Sequence, residues 1–390
     1  APFAFARVPD IVFGAGKLVG LPQLILRYGR RILLVTGSAS FVRSEFHARL
    51  KEALEGAGID VLRASLSGEP SPEFVDATTG EFRGSRIDCV VGIGGGSAID
   101  AGKAISAMLP QEGSVAPFLE QFNEKKHDGR KLPYIAVPTS SGTGSEASKN
   151  AVLSHVGRDG YKSSLRQDNL VPDMALIDPQ LMLSCPPDIT AACGLDALTQ
   201  LIEAYVSSKA SPLTDALMQS GLEHAAAGFL PAVENGRQDL AAREHMAYAA
   251  LLSGIGLANA GLGVVHGFAG PLGGFFPIPH GVVCGTLLGA ATRINIAALR
   301  RDAARNRVAL EKYARAGVLL SGKPAADEEA GCELLVETLD RWIAAAGIAR
   351  LSAYGVTPDD FPRILERSNN KNSPITLVRE EMRAILEARL

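Results

Sequence analysis

In the first half of the chain, apolar positions come in short unbroken runs. Residues 32–36 read Ile32-Leu33-Leu34-Val35-Thr36, follow Arg30-Arg31 and end in Gly37-Ser38. Comparable runs occupy 59–62, 87–93, 133–137 and 174–178. Short runs that are apolar on both faces predict strands covered on both sides. Over 42–56 the apolar positions Val42, Phe46, Leu50 and Leu54 recur at helical spacing, and 98–109 reads as a further helix. Strands alternating with helices predict a parallel α/β sheet. Past Cys185-Pro186-Pro187 the period turns helical. Helices are predicted over 188–206, with Asp188 as N-cap, and over 212–230, 240–260, 281–299, 306–319, 328–345 and 378–390. Gly and Pro breaks separate them.

The chain has 390 residues, and single cores stop growing near about 250–300 residues. Two domains are therefore expected: an α/β domain over 1–185 and a helical domain over 186–390. A hydrophobic fraction of 46% and a charged fraction of 21% exclude a disordered or collagen-like chain. With 39 basic against 42 acidic residues and no basic run, nothing points to nucleic acid. No stretch reads as about 18 apolar residues, so no membrane span is expected. The segment Ala1-Pro2-Phe3-Ala4-Phe5 lacks the features of a signal peptide. The five cysteines are scattered without a Cys-x-x-Cys pair and read as buried free thiols. A cytoplasmic location is the expectation.

Gly94-Gly95-Gly96-Ser97 lies between a buried strand and a helix. Glycine there lets the backbone approach an anion, and the helix N-terminus offers unpaired N–H groups to a phosphate. A tight strand-to-helix turn has the same composition. Two features favour the phosphate reading. Asp100 and Lys103 open the helix, and a second small-residue loop, Pro138 through Glu146, follows another strand. Loops after strand C-terminal ends form the walls of the ligand crevice in open α/β sheets. The glycine loop follows the third run rather than the first, unlike the usual dinucleotide fold. After the first run, Gly37, Ser38 and Ser40 supply no carboxylate for a ribose diol, and Arg43 lies just beyond. That composition suits a 2′-phosphate and favours NADP over NAD.

Two of the seven histidines, His266 and His280, lie in one glycine-dense segment, 263–281. Upstream, Asp196 and Gln200 stand four apart on one helix face. A carboxylate in an apolar helix needs a partner. A divalent cation held by Asp196, His266 and His280 would satisfy all three residues, and such ligation suits Fe(II), Zn or Mn.

Over essentially its whole length the sequence resembles the iron-containing (group III) alcohol dehydrogenases. The matching stretches are Gly94 to Asp100, Pro138 to Glu146, Leu170 to Pro179, Gly194 to Leu198, His266 to Gly281, and Asn369 to Pro374. The resemblance implies an α/β dinucleotide-binding domain over 1–185, a helical metal- and substrate-binding domain over 186–390, an active-site cleft between them, and NAD(P)-linked interconversion of alcohols with aldehydes or ketones. It also implies homodimers or larger homo-oligomers. Gly95, Gly96, Ser97 and Asp100 match its cofactor loop. Thr139, Ser140, Thr143 and Ser145 match a second cofactor loop, and Lys162 a lysine near the cofactor. Asp196, His266 and His280 match three metal ligands, and Asn150 a position lining the substrate pocket. Gln200 stands where the family has a histidine ligand and is the remaining donor for Fe2+ or Zn2+. Gly270 stands where the family usually has a histidine near the substrate, so a wider pocket is expected. The proton would then come from water or through the cofactor ribose hydroxyl, with His155 and His245 as candidate stand-ins whose positions in the sequence give no reason to choose them. Alternatives are a metal-independent reductase of the maleylacetate reductase kind, an NAD-using lyase, and a non-catalytic binding protein.

Overall fold

The computed structural model describes residues 2–38 and 41–390. Two compact units emerge: residues 6–155 with 162–184, and residues 185–390 with 1–5 and 156–161.

The first unit is an α/β layer structure. Its strands are β1 (Asp10–Phe13), β2 (Arg31–Gly37), β3 (Asp60–Leu66), β4 (Cys89–Gly94), β5 (Tyr134–Pro138), β6 (Asn150–His155), β7 (Tyr161–Arg166) and β8 (Met174–Ile177). Six form one sheet in the order β1-β8-β5-β4-β2-β3, and every pairing is parallel. Strands β4, β5 and β8 are buried along their whole length, as the unbroken apolar runs predict. The helices of this unit are α1 (Leu21–Ile25), α2 (Glu45–Gly56), α3 (Pro72–Phe82) and α4 (Gly96–Met108). Ser44 caps α2 by accepting from the His47 N–H, so Arg43 sits in the turn before the helix rather than within it. Strand β1 and the two-stranded β6–β7 sheet add to the sequence prediction.

The second unit is helical: α5 (Pro187–Tyr205), α6 (Pro212–Asn235), α7 (Leu240–Ala260), α8 (Val264–Phe275), α9 (His280–Arg300), α10 (Ala303–Ser321), α11 (Glu328–Ala345), α12 (Phe361–Arg367) and α13 (Arg379–Ala388). Pro187 begins α5 with Pro186 as N-cap, so Asp188 falls in the first turn instead of capping it. Proline's fixed φ suits that first helical position. α5 is buried nearly all round and packs against α6, α7 and α9. α9 is long and apolar enough to cross a membrane by composition alone, contrary to the sequence expectation, but most of it is buried inside the unit. It is a core helix, packed with α8, α12 and α13 around Phe268, Leu272, Leu287 and Phe361.

Candidate functional site

In the α/β unit, β2, β4 and β5 are neighbours, and their C-terminal ends share one edge. The chain adds β3 outside β2, then returns to place β4 on the other side of β2. Such a reversal of strand order marks where open α/β sheets bind ligands. Gly37-Ser38, the glycine loop and the Pro138–Glu146 loop all leave the sheet there. Gly94 is in register with Pro138, and the Thr139 N–H donates to the Gly94 carbonyl at 2.8 Å. A Cβ on Gly96 would lie 2.7 Å from Thr143, and one on Gly95 would lie 3.4 Å from Ser140 Oγ. The two loops therefore adjoin, with no room for a side chain at Gly96. α4 starts at Gly96 with no side chain capping it, so its first N–H groups are available to an anion.

Two predicted site residues are built into the fold beneath these loops. Asp100 is buried, and its Oδ2 accepts from the Val152 N–H at 3.1 Å. Ser145 is buried, and its carbonyl accepts from Lys103 Nζ at 2.6 Å. The Lys103 ammonium also donates to the carbonyls of Ser148 and Asn150, at 2.9 and 2.8 Å. Burial pulls Lys103 down to about 8, against support from Asp100 and Glu146. Burial pushes Glu146 up to about 7. Lys103 thus ties α4 to the second loop and to β6 through three backbone carbonyls, a structural role for the lysine noted in the sequence. Lys162 grips both carboxylate oxygens of Glu69, at 2.7 and 2.6 Å. Asn150 is buried on β6, and its Oδ1 accepts no hydrogen bond. Arg43 is exposed, and Ser40 lies outside the described residues. Lys149 is paired with Asp168 at 2.7 Å.

In the helical unit, Asp196, Gln200 and Glu203 follow one another along a buried face of α5. Close backbone approach brings α9 onto that helix. A Cβ on Gly281 would lie 2.3 Å from the Ala192 carbonyl oxygen, and one on Gly285 would lie 2.8 Å from Leu195. His280 opens α9, and α8 carries His266 one turn before Gly270. Asp196 Oδ1 lies 3.4 Å from His266 Nε2 and 3.6 Å from His280 Nε2. Cys284, one turn along α9 from His280, has its Sγ 3.6 Å from His266 Nε2 and 3.8 Å from His280 Nε2. One ligand atom from each of these four residues falls within 4.8 Å of every other. Asp196 Oδ1 is buried and accepts no hydrogen bond despite facing both imidazoles. A buried carboxylate oxygen left in this way, ringed by nitrogen donors, fits a divalent cation.

Glu203 completes the cluster and was missed from sequence. Its Oε2 accepts from His266 Nδ1 and its Oε1 from the Val265 N–H, both at 2.7 Å. Bonding at Nδ1 orients the ring so that Nε2 faces Asp196, the arrangement found around metal-ligating histidines. Burial opposes charge on His266, but Cys284, Asp196 and Glu203 outweigh it and hold the imidazole well above its usual range. Burial likewise opposes charge on Asp196, and the two imidazoles and Cys284 reverse the sign and hold it low. Burial pushes the Cys284 thiol up to about 12. Gln200 is buried one turn beyond Asp196. His155 is exposed beside Glu73 at 3.7 Å, and His245 faces His224 at 3.0 Å between their Nδ1 atoms. Neither stand-in joins the cluster as a donor.

Comparison with known proteins identifies the family. The family model for iron-containing alcohol dehydrogenase matches residues 9–179, and that for the Fe-containing alcohol dehydrogenase C-terminal region matches residues 190–390. Long-chain-alcohol dehydrogenase 1 of Geobacillus thermodenitrificans is 33% identical over 96% of this chain and 93% of its own. Sulfoacetaldehyde reductase of Bilophila wadsworthia is 32% identical over 99% and 98%. A crystal structure of 1,3-propanediol oxidoreductase superposes with a TM-score of 0.89 at 30% identity, covering all of both chains. The chain belongs to the iron-containing alcohol dehydrogenase family, NAD(P)-dependent oxidoreductases acting on CH–OH groups.

Proposed function

We propose that this chain reduces an aldehyde or ketone, and oxidises the matching alcohol, with NADPH/NADP and a divalent cation held by Asp196, His266 and His280. The observation that carries this reading is the convergence of Asp196 Oδ1 with two imidazole Nε2 atoms at 3.4 and 3.6 Å. When bound, the nicotinamide supplies hydride, and the cation, Fe2+ or Zn2+, supplies Lewis-acid polarisation of the substrate oxygen. The chain's own task is to position both. Gly94, Gly95, Gly96 and Ser97, with Thr139, Ser140, Thr143 and Ser145, form the loops that would receive the pyrophosphate. Glu203 holds His266 in the tautomer that presents Nε2. Gly270 offers no proton carrier on the face of α8 that bears His266, which leaves water or the cofactor ribose hydroxyl as the proton source. The missing side chain also widens the site for larger carbonyl compounds, in keeping with the long-chain alcohols that one relative is named for. Lys149, a cation beside Asn150 in the sequence, is paired with Asp168 and so gives no support to an anionic substrate. The absence of a carboxylate at Gly37 and Ser38, together with the exposed Arg43, supports NADPH over NADH. A cytoplasmic homo-oligomer, a dimer or larger, completes the reading.

The deciding assay follows NAD(P)H consumption against a panel of aldehydes and ketones, with and without chelator and with Fe(II) or Zn(II) restored. Chelation should abolish turnover, and NADPH should saturate at lower concentration than NADH. Asp196→Ala should lose both metal and activity. Full turnover in a metal-free Asp196→Ala protein would assign the chain to the metal-independent reductases of this fold. Saturation by NADH alone would overturn the coenzyme preference.

A further inference from the structure

We infer that Cys284, not Gln200, supplies the fourth donor to the cation, as a thiolate completing an Asp196–His266–His280–Cys284 set. The inference rests on the metal-assisted reading above and deepens it. Its carrier is the shape of the cluster. Zinc bonds of about 2.3 Å to sulfur and about 2.0–2.1 Å to nitrogen or oxygen set tetrahedral edges near roughly 3.6 Å for S···N and roughly 3.3 Å for N···O. Here the S···N separations are 3.6 and 3.8 Å and the N···O separations 3.4 and 3.6 Å. Four of the six edges thus stand within a few tenths of an ångström of such a tetrahedron with Sγ at one corner, and the other two are no longer than 4.8 Å.

The fold explains how sulfur comes to that corner. Cys284 follows His280 by one helical turn, so α9 offers both side chains on one face. The close approach at Gly281 and Gly285 presses that face onto α5 at Asp196. Gln200 can offer only a neutral amide oxygen, whereas a cysteine in contact with a divalent cation loses its proton and becomes an anionic donor. Two nitrogens, one oxygen and one sulfur make a softer site than three nitrogens and an oxygen, and they tilt selection toward zinc. A substrate oxygen would then join as a fifth donor, an expansion that zinc sites accommodate.

X-ray absorption at the zinc edge of the full-length, zinc-loaded protein tests this directly. The wild-type spectrum should contain one sulfur scatterer at about 2.3 Å beside nitrogen and oxygen at about 2.0–2.1 Å. Cys284→Ser should lose the sulfur scatterer and bind zinc roughly 100-fold more weakly, at or beyond the range seen when supporting residues are removed. Gln200→Ala should keep the sulfur. If Cys284→Ser does not fold, Cys284→Ala serves in its place. One bound zinc with only nitrogen and oxygen neighbours would overturn the proposal and leave the metal-assisted reading standing, as would a sulfur scatterer that persists without Cys284. A wild-type protein that binds no zinc or iron at all would overturn both.

Discussion

Glu203→Gln isolates the contribution of a residue that touches neither substrate nor cofactor. Glu203 is buried and uses its two oxygens for two different donors, the Val265 N–H and the His266 Nδ1–H, each at 2.7 Å. Those lengths are at the short end for charge-assisted bonds. Glutamine is nearly isosteric but has one oxygen and one NH2 group. If the oxygen faces Nδ1, the NH2 group confronts the Val265 N–H, and a buried backbone donor is left unpaired at a cost of about 1–3 kcal/mol. If the NH2 group faces Nδ1, His266 must accept there. The ring proton then moves to Nε2, the atom directed at Asp196. Either arrangement degrades the cation site, and the expected loss is about 10–100-fold in metal affinity, or about 1.4–2.8 kcal/mol. Competition with a chromophoric chelator measures that affinity, and intrinsic fluorescence quenching measures NADPH binding on the same protein. Metal affinity should fall while NADPH affinity stays unchanged, because the cofactor loops belong to the other unit. A folded Glu203→Gln protein with metal affinity within twofold of wild type would refute the orienting role.

Two further substitutions probe the α/β unit. Gly96→Ala places a Cβ 2.7 Å from Thr143 Oγ1 and Cγ2. Overpacking of about 1–3 kcal/mol at that point should weaken NADPH binding by about 10-fold or more without changing metal content. A wild-type dissociation constant from fluorescence titration would contradict that. Glu146 has its pKa raised from 4.5 to about 7 by burial, so the native state holds this proton to higher pH than the unfolded chain does. Its ionisation therefore costs stability progressively from about pH 4.5 to about pH 7, and the cost is complete above that window. Glu146→Gln should match wild type below the window and gain up to about 3 kcal/mol above it, less what Lys103 loses with its neighbouring charge. Urea unfolding across pH 4–8 checks this, and a difference independent of pH would defeat it.

What the sequence made legible follows from how each signal is encoded. Strands β4, β5 and β8 announce themselves because a parallel strand buried on both faces must be apolar throughout. Strand β7, Tyr161–Arg166, carries Lys162, Ser163, Ser164 and Arg166 and has no such pattern, so nothing local marks it as a strand. α8 hid in the glycine density between 263 and 281 and carries an internal proline, Pro271. Its glycines serve close approaches that only a folded neighbour reveals, such as the Asn369 carbonyl oxygen that would lie 1.8 Å from a Cβ on Gly267.

The site divides along the same line. Asp196 was readable because a carboxylate in an apolar helix demands a counterpart, and the two histidines of the glycine-rich segment were the obvious candidates. By that argument Glu203, about two turns further along the same buried helix, demanded a counterpart too. The sequence could state the demand but not meet it, since the partner, His266, is 63 residues away. Cys284 is the harder case. A lone cysteine in an apolar stretch looks like a small core residue, and its spacing from His280 acquires meaning only once α9 is known to begin at His280 itself. A charged side chain in an apolar setting advertises that it must be satisfied. A thiol, content in either environment, advertises nothing until the donors around it are placed.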